Sequence, residues 1–293
     1  MPYTGVGALF ESIVANTQLW PYEYKDASGK HSRVRATLNK AYYGIDSETA
    51  NSLLVGSYGK NTAIRPPSDI DILFQLPFSV YERYRNRTGN IQSQFLQEVK
   101  GILLRRFPTT EIKADGQIIL VPFTSYSVEV LPAFKLMTNQ YWHADTNNGG
   151  KWRTTDPIAE MNALEASNKE TRGKTMHLIK MAKAWKRIRN VSIKSLVLEL
   201  TATTFLSTWQ YKDKTYLYYD FMVRDFFDYL LKQQNRHLTL PGTGDLVYTG
   251  DAWAAQARFA SSAAQRATNL GQEDKVQPAK EEWRNIFGSY VPF

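Results

Sequence analysis

The hydrophobic rhythm of the chain changes near its middle. In the first half, short alternating runs are interleaved with helical ones. Residues 70–76 (IDILFQL) and 126–131 (YSVEVL) alternate with a period of two, the pattern of a strand with one face buried. Pro77 and Pro132 follow these runs and are expected to close them. Residues 52–55 form a short apolar run that meets Gly56-Ser57. Residues 111–113 and 117–122 read as two strands about an Asp115-Gly116 turn. Helical spacing is expected over 5–16, 32–43 and 91–107, with a turn at 26–30 (DASGK). The polar stretch 143–156 contains Asn147-Asn148-Gly149-Gly150 and reads as a loop and a lobe boundary. Beyond it, 157–168, 172–189, 194–209, 218–234 and 252–270 all read as helices, with one loop at 240–251. This is an α+β pattern: a mixed-sheet lobe over 1–150 and a helical lobe over 151–293.

Composition narrows the picture in three ways. Aromatic residues make up 13% of the chain, which suits a packed core rather than a disordered one. There is no cysteine, so disulfides and Cys-ligated zinc are excluded. His31, His143, His177 and His237 are far apart and lack metal-ligand spacing, which points to structural or surface roles. Residues 1–14 lack the pattern of a signal peptide. The best membrane candidate, 196–209, is too short and carries Glu199. A cytoplasmic protein with no membrane partner is expected.

Charge is unevenly placed. The net charge is +8, and residues 169–194 hold nine lysines and arginines against one acid, Glu170, so the rest of the chain is about neutral. Such a strip suits a polyanion, either nucleic acid or the triphosphate of a nucleotide. A solvated helix face is the alternative, and charge alone does not decide between them.

The chemistry concentrates in residues 56–74, GSYGKNTAIRPPSDIDILF. Asp69 and Asp71 stand at i and i+2 on an expected strand, so their carboxylates face the same way. Like charges so placed repel unless a cation holds them, and hard oxygen donors suit Mg²⁺. Glu129, flanked by Val128 and Val130, supplies a third carboxylate from a second strand. An acid inside an apolar strand is costly without a task. Three carboxylates can hold two metal ions of the kind that assist in-line phosphoryl transfer. Gly56 lets backbone approach a phosphate, and the Ser57 hydroxyl and nearby N–H groups can hold one. Gly59 and Lys60 add flexibility and positive charge to the same loop. Gly173-Lys174-Thr175 lacks the first glycine of a P-loop, since Asn168 stands there.

Read together, GS, then DID, then VEVLPAF resembles the active-site signature of the DNA-polymerase-β-type nucleotidyltransferases. The branch it is most similar to holds the 2′-5′ oligoadenylate synthases, cGAS and the bacterial cGAS/DncV-like nucleotidyltransferases (CD-NTases). Where that family usually carries aspartate, this chain has Glu129, one methylene longer. LIKMAKAWKR (178–187) is similar to the family helix whose lysine contacts the triphosphate, here Lys183. SLVLELT (195–201) is similar to the following helix, whose first residue helps hold the phosphates, here Ser195. EEWRNIFGSYVPF (281–293) resembles a common ending of the bacterial members. Leu178, Met181, Ala182 and Trp185 form an apolar stripe. Trp185 is expected in the core, and Lys180 and Arg187 in solvent.

The resemblance implies a polymerase-β-like lobe and a helical C-terminal lobe with the active site in the cleft between them. It implies a metal-dependent enzyme that joins ATP, GTP or both into a cyclic di- or trinucleotide second messenger for anti-phage (CBASS) signalling through a product-sensing effector. Asp69, Asp71 and Glu129 would hold two Mg²⁺ ions, or Mn²⁺, and Gly56, Ser57, Lys183 and Ser195 would bind the nucleotide. Linear 2′-5′ oligonucleotides, nucleotide addition to RNA, and a catalytically dead binding module are the alternatives. Direct nucleic-acid binding is left open.

Overall fold

In the computed structural model, which describes residues 5–293, the first helical spacing becomes α1 (Val6–Thr17) and the second a single long helix, α2 (Pro21–Tyr43). No turn forms at 26–30. Lys30 pairs with Asp26 one helical turn away at 2.6 Å and lies over the Tyr126 ring. Ala27 is buried, and a side chain at Gly29 would meet nothing within 4 Å. These contacts outweigh the cost of one glycine in a helix, about 1 kcal/mol. Pro21 opens the helix, where its missing N–H is not needed.

A seven-stranded sheet follows in the order β1-β2-β5-β4-β3, with β6 added to β5 and β7 to β6. The strands are β1 (Ser52–Leu54), β2 (Ile70–Gln75), β3 (Lys113–Asp115), β4 (Ile118–Pro122), β5 (Ser127–Lys135), β6 (Tyr141–Asp145) and β7 (Lys151–Thr155). Only β2 and β5 run parallel. β5 runs through Pro132, contrary to the expected stop. On one edge Pro132 pairs in register with Phe74; on the other it falls between the β4 ladder, ending at Val130, and the β6 ladder, starting at Ala133. Its missing donor therefore breaks no ladder there. Most of the stretch expected to be a loop is likewise paired: β6 and β7 form a hairpin in which Trp142 and Trp152 stack.

The helices of this part are α2, the one-turn α3 (Gly56–Gly59), α4 (Phe78–Tyr84) and α5 (Ile91–Arg106). The main core lies on one face of the sheet. Ile70, Ile72 and Phe74 of β2 and Val128 and Val130 of β5 pack there with Val34 and Leu38 of α2 and Phe95 and Val99 of α5. On the opposite face, Leu73 and Leu131 join Ile158 in a smaller cluster.

Two compact units divide the chain. One is 19–161, the sheet unit; the other joins 5–18 to 162–293. Against the expected spans 1–150 and 151–293, α1 belongs with the helices, and β7 with the sheet. The expected absence of a leader in 1–14 falls partly on 1–4, outside the described residues. The helical unit holds the end of α6 (Pro157–Glu170), then α7 (Lys174–Ile188), α8 (Ser195–Thr208), α9 (Tyr219–Leu231), α10 (Ala254–Gln272) and α11 (Val276–Phe287). It also holds a small hairpin, β8 (His237–Thr239) with β9 (Leu246–Tyr248), of which β9 lies inside the stretch expected to be a loop. Trp185, Trp253 and Trp283 are fully buried, and Phe10 of α1 meets Trp283 edge to face at 5.0 Å. Ala257, Ala260, Ala263, Ala264 and Ala267 give α10 a buried small-residue face. Among the described residues, no helix is long and apolar enough to cross a membrane.

The continuity of α2 can be checked directly. Gly29→Ala is expected to raise unfolding stability by about 1 kcal/mol in a denaturant titration, because alanine is the better helix former and has room. A turn at 26–30 would make the same substitution neutral or destabilising.

Candidate active site

The parallel pairing of β2 with β5 sets Asp71 directly opposite Glu129. Alternation along each strand turns Ile70, Ile72, Val128 and Val130 into the main core and leaves these two acids on the other face. Their carboxyl groups are hydrogen-bonded to one another. Burial, then the charges of Glu129 and Asp69, push the Asp71 carboxyl up to about 7, while a hydrogen bond from the Ser57 backbone N–H acts the other way. Glu129 is also raised, by burial first and then by Asp69, against the lowering effect of its bond to Asp71. Burial and neighbouring charge thus favour one shared proton on this pair over two ionised carboxylates.

Asp69 is placed differently from the expectation. It precedes β2 by one residue and is exposed. Its charge still reaches both partners. Among the described residues, no three of His, Cys, Asp and Glu gather into a ready metal cluster. Two adjacent carboxyl groups raised by burial and then by neighbouring negative charge, with a third nearby, are nevertheless a hard-oxygen donor set that a divalent cation would relieve. The residues present therefore fit such an ion.

Gly56 and Ser57 form the start of α3, directly after β1. Gly56 has φ 56°, and a Cβ there would lie 1.8 Å from Asp71 Oδ2. Glycine is thus required both by the backbone and by the approach to the carboxylate. The Ser57 carbonyl accepts from the N–H groups of Thr62 and Ala63, at 2.8 and 3.0 Å, which folds the following loop back on the turn. Further along, the Arg65 guanidinium lies 4.5 Å from the Trp20 ring centre, anchoring the segment that leads to Asp69.

Lys183 and Ser195 lie in the helical unit. Lys183 is buried and donates to Glu199 Oε1 at 2.7 Å, a partner the sequence pattern did not mark. Ser195 is the first residue of α8, and its hydroxyl accepts from Lys186 at 3.3 Å. Lys180, expected in solvent, is buried and donates to Gln18 Oε1 at 2.7 Å. Burial and the neighbouring Lys183 bring the Lys180 ammonium down to about 8, and the same two causes lower Lys186. Arg187 is exposed and Trp185 lies in the core, as expected. Lys180, Lys183 and Arg187 were legible as one basic face of the helix; the burial of Lys180 and Lys183 was not.

The carboxylate pair gives a stability signature. Between the ordinary aspartate range and about 7, folded Asp71 keeps a proton that the unfolded chain has released. Stability from this group is therefore full at low pH and falls as pH rises through that window. In the metal-free protein, Asp71→Asn is expected to flatten this decline and to melt several degrees above wild type at pH 8. Parallel melting curves for the two proteins from pH 5 to 8 would exclude the shared proton.

Comparison with known proteins bears on this geometry. The family model for the Second Messenger Oligonucleotide or Dinucleotide Synthetase domain matches residues 5–168. The chain is 24% identical over 277 residues to a "Cyclic AMP-AMP-AMP synthase" of Acinetobacter sp., covering 91% of this chain and 80% of that protein. In fold it is similar to CdnC of E. coli MS115-1, solved with ATP, at a TM-score of 0.73 and 18% identity over 100% of this chain and 99% of that one. It is similar also to Escherichia coli DncV in its 3′-deoxy GTP bound form, at a TM-score of 0.74 and 12% identity over 99% and 98%. With more than half of its length matched by the family model and the mixed sheet of such enzymes in place, the chain belongs to the Second Messenger Oligonucleotide or Dinucleotide Synthetase family and is a bacterial cGAS/DncV-like nucleotidyltransferase.

Proposed function

We propose that the chain joins nucleoside triphosphates into a cyclic di- or trinucleotide, releasing pyrophosphate, and that a separate effector protein reads the product in anti-phage defence. The observation that carries this reading is the in-register Asp71–Glu129 pair, hydrogen-bonded to the Gly56-Ser57 turn through the Ser57 N–H. A relative named for a cyclic adenine trinucleotide, matched along 91% of this chain, supports ATP as a substrate.

Nucleotidyltransferases of this class are generally metal-dependent. Here Asp69, Asp71 and Glu129 would be the ligands of two Mg²⁺ ions, which when bound supply charge stabilisation for phosphoryl transfer. The remaining chemistry falls to the chain. Gly56 clears space for the phosphates, and the Ser57 hydroxyl binds one. Lys183, with Lys180 and Lys186 beside it, offers positive charge that burial has already stripped of much of its water, and Ser195 adds a hydroxyl. A ribose hydroxyl of the acceptor forms a new bond to the α-phosphorus. The bond to pyrophosphate breaks, and the hydroxyl proton is released. Glu129, one methylene longer than the family's usual aspartate, stands opposite Asp71 in this register.

Incubation with labelled NTPs and Mg²⁺, followed by phosphatase and mass spectrometry, tests the reading. Wild type is expected to give a phosphatase-resistant product, and the Asp69→Ala/Asp71→Ala variant to lose activity by on the order of 10³-fold or more. Identical product profiles would exclude this site. Products bearing free terminal phosphates would point instead to linear chains.

A further inference from the structure

One buried ion pair stands beside the phosphate-facing turn without a part in the chemistry above. Lys60 follows α3 directly, and its N–H donates to the Gly56 carbonyl at 3.1 Å. Its Nζ donates to Glu160 Oε2 at 2.6 Å, and the two side chains are only 11% and 13% exposed. Glu160 sits in the first turn of α6. That turn is tied to the end of the sheet: the Asp156 carboxylate caps it through the Ala159 N–H at 2.9 Å, and the Asp156 carbonyl accepts from the Glu160 N–H at 3.2 Å. The pair closes one side of a cavity of about 170 Å³ walled by Val55, Leu73, Leu131 and Met161. Leu73 and Leu131 are two residues along β2 and β5 from Asp71 and Glu129, so this cavity continues the carboxylate face.

The surroundings give the pair leverage. Apolar walls reduce screening, so the interaction holds the two side chains firmly, and breaking one partner leaves a buried charge. α3 is a single turn locked at both ends. The Gly59 N–H donates to the Val55 carbonyl at 2.9 Å, and a Cβ at Gly59 would lie 2.2 Å from the Leu54 carbonyl oxygen. A displacement of Lys60 therefore passes along α3 to Gly56 and Ser57, and through the Ser57 N–H to Asp71.

We propose that Lys60 and Glu160 are positioning residues: their ion pair sets the seat of the Gly56-Ser57 turn over Asp71 and thereby the affinity for the nucleoside triphosphate. The proposal rests on the reading of Ser57 as a phosphate contact. It differs from a direct contact of Lys60 with phosphate, which the position of Lys60 in the loop would also allow. The two differ in what they ask of Glu160. A positioning pair needs Glu160 as much as Lys60; a phosphate-binding lysine would be freed by its loss.

Kinetics with ATP as the varied substrate, calorimetric binding of a non-hydrolysable ATP analogue, and thermal melts separate them. Glu160→Gln is expected to raise KM and the analogue Kd about tenfold, the loss of one charge-assisted hydrogen bond, with kcat within roughly threefold of wild type. Lys60→Glu is expected to bind more weakly still. Lys60→Glu/Glu160→Lys, which restores the pair in reverse, should return to within about fivefold of wild type. If Glu160→Gln melts far below wild type, Glu160→Asp, shorter by one methylene, is expected to show the same rise. A wild-type KM and Kd in the Glu160 variants, or a swap no better than Lys60→Glu, overturns the proposal while leaving the nucleotidyltransferase reading intact. A wild type that neither binds the analogue nor makes product overturns both.

Discussion

Everything chemical in the sheet unit follows from one pairing, the parallel register that sets Asp71 opposite Glu129. Two carboxylates forced together in partly buried surroundings oppose folding, and the proton they share is the response. The arrangement persists because the other face of the same strands is fully committed. Ile70, Ile72, Phe74, Val128 and Val130 are all buried in the main core, and a slip of one residue would turn them to the carboxylate side. The hydrophobic face thus enforces the strained polar one. Gly56 completes the constraint, because only a residue without a Cβ can bring the backbone of α3 against Asp71.

The helical unit repeats this logic with the opposite sign. Lys180, Lys183 and Lys186 occupy one side of α7, and burial, full at the first two and partial at Lys186, makes each ammonium more dependent on its partner. Gln18, Glu199 and Ser195 supply those partners. Of these three, Glu199 is the charged one, and it meets Lys183 at 2.7 Å. The stripe Leu178, Met181, Ala182 and Trp185 lies in the core and fixes the orientation of the helix.

Period and spacing carried much of this in the sequence. β2, α5, α7 and α8 stand close to their expected spans, β5 starts close to its own, and the acids and the Gly56-Ser57 turn were marked by their pattern. The misses share one cause: tertiary contacts overrode local signals. DASGK reads as a turn, yet α2 passes through it because Ala27 and Lys30 have contacts to make. Pro132 reads as a stop, yet it sits where no ladder needs its N–H. The polar stretch after β5 hides a hairpin whose tryptophans pack against the sheet. Partners such as Glu160 for Lys60 and Glu199 for Lys183 lie 100 and 16 residues away, and no local rule pairs them.

The division of the chain has a consequence for how the protein is made. The sheet unit is one continuous stretch, 19–161, whereas the helical unit is assembled from both sides of it. α1 leaves the ribosome before the sheet unit, but its contacts lie with late segments: Phe10 meets Trp283, and the Asn16 side chain reaches the Tyr290 carbonyl across 274 residues. During synthesis the apolar face of α1, with Val6, Phe10, Ile13 and Val14, must wait while the sheet unit can already close upon itself. The carboxylate site can therefore form early. The lysine-bearing helices reach their final packing only after α11 has emerged, a vectorial order that delays one set of charges until the other is in place.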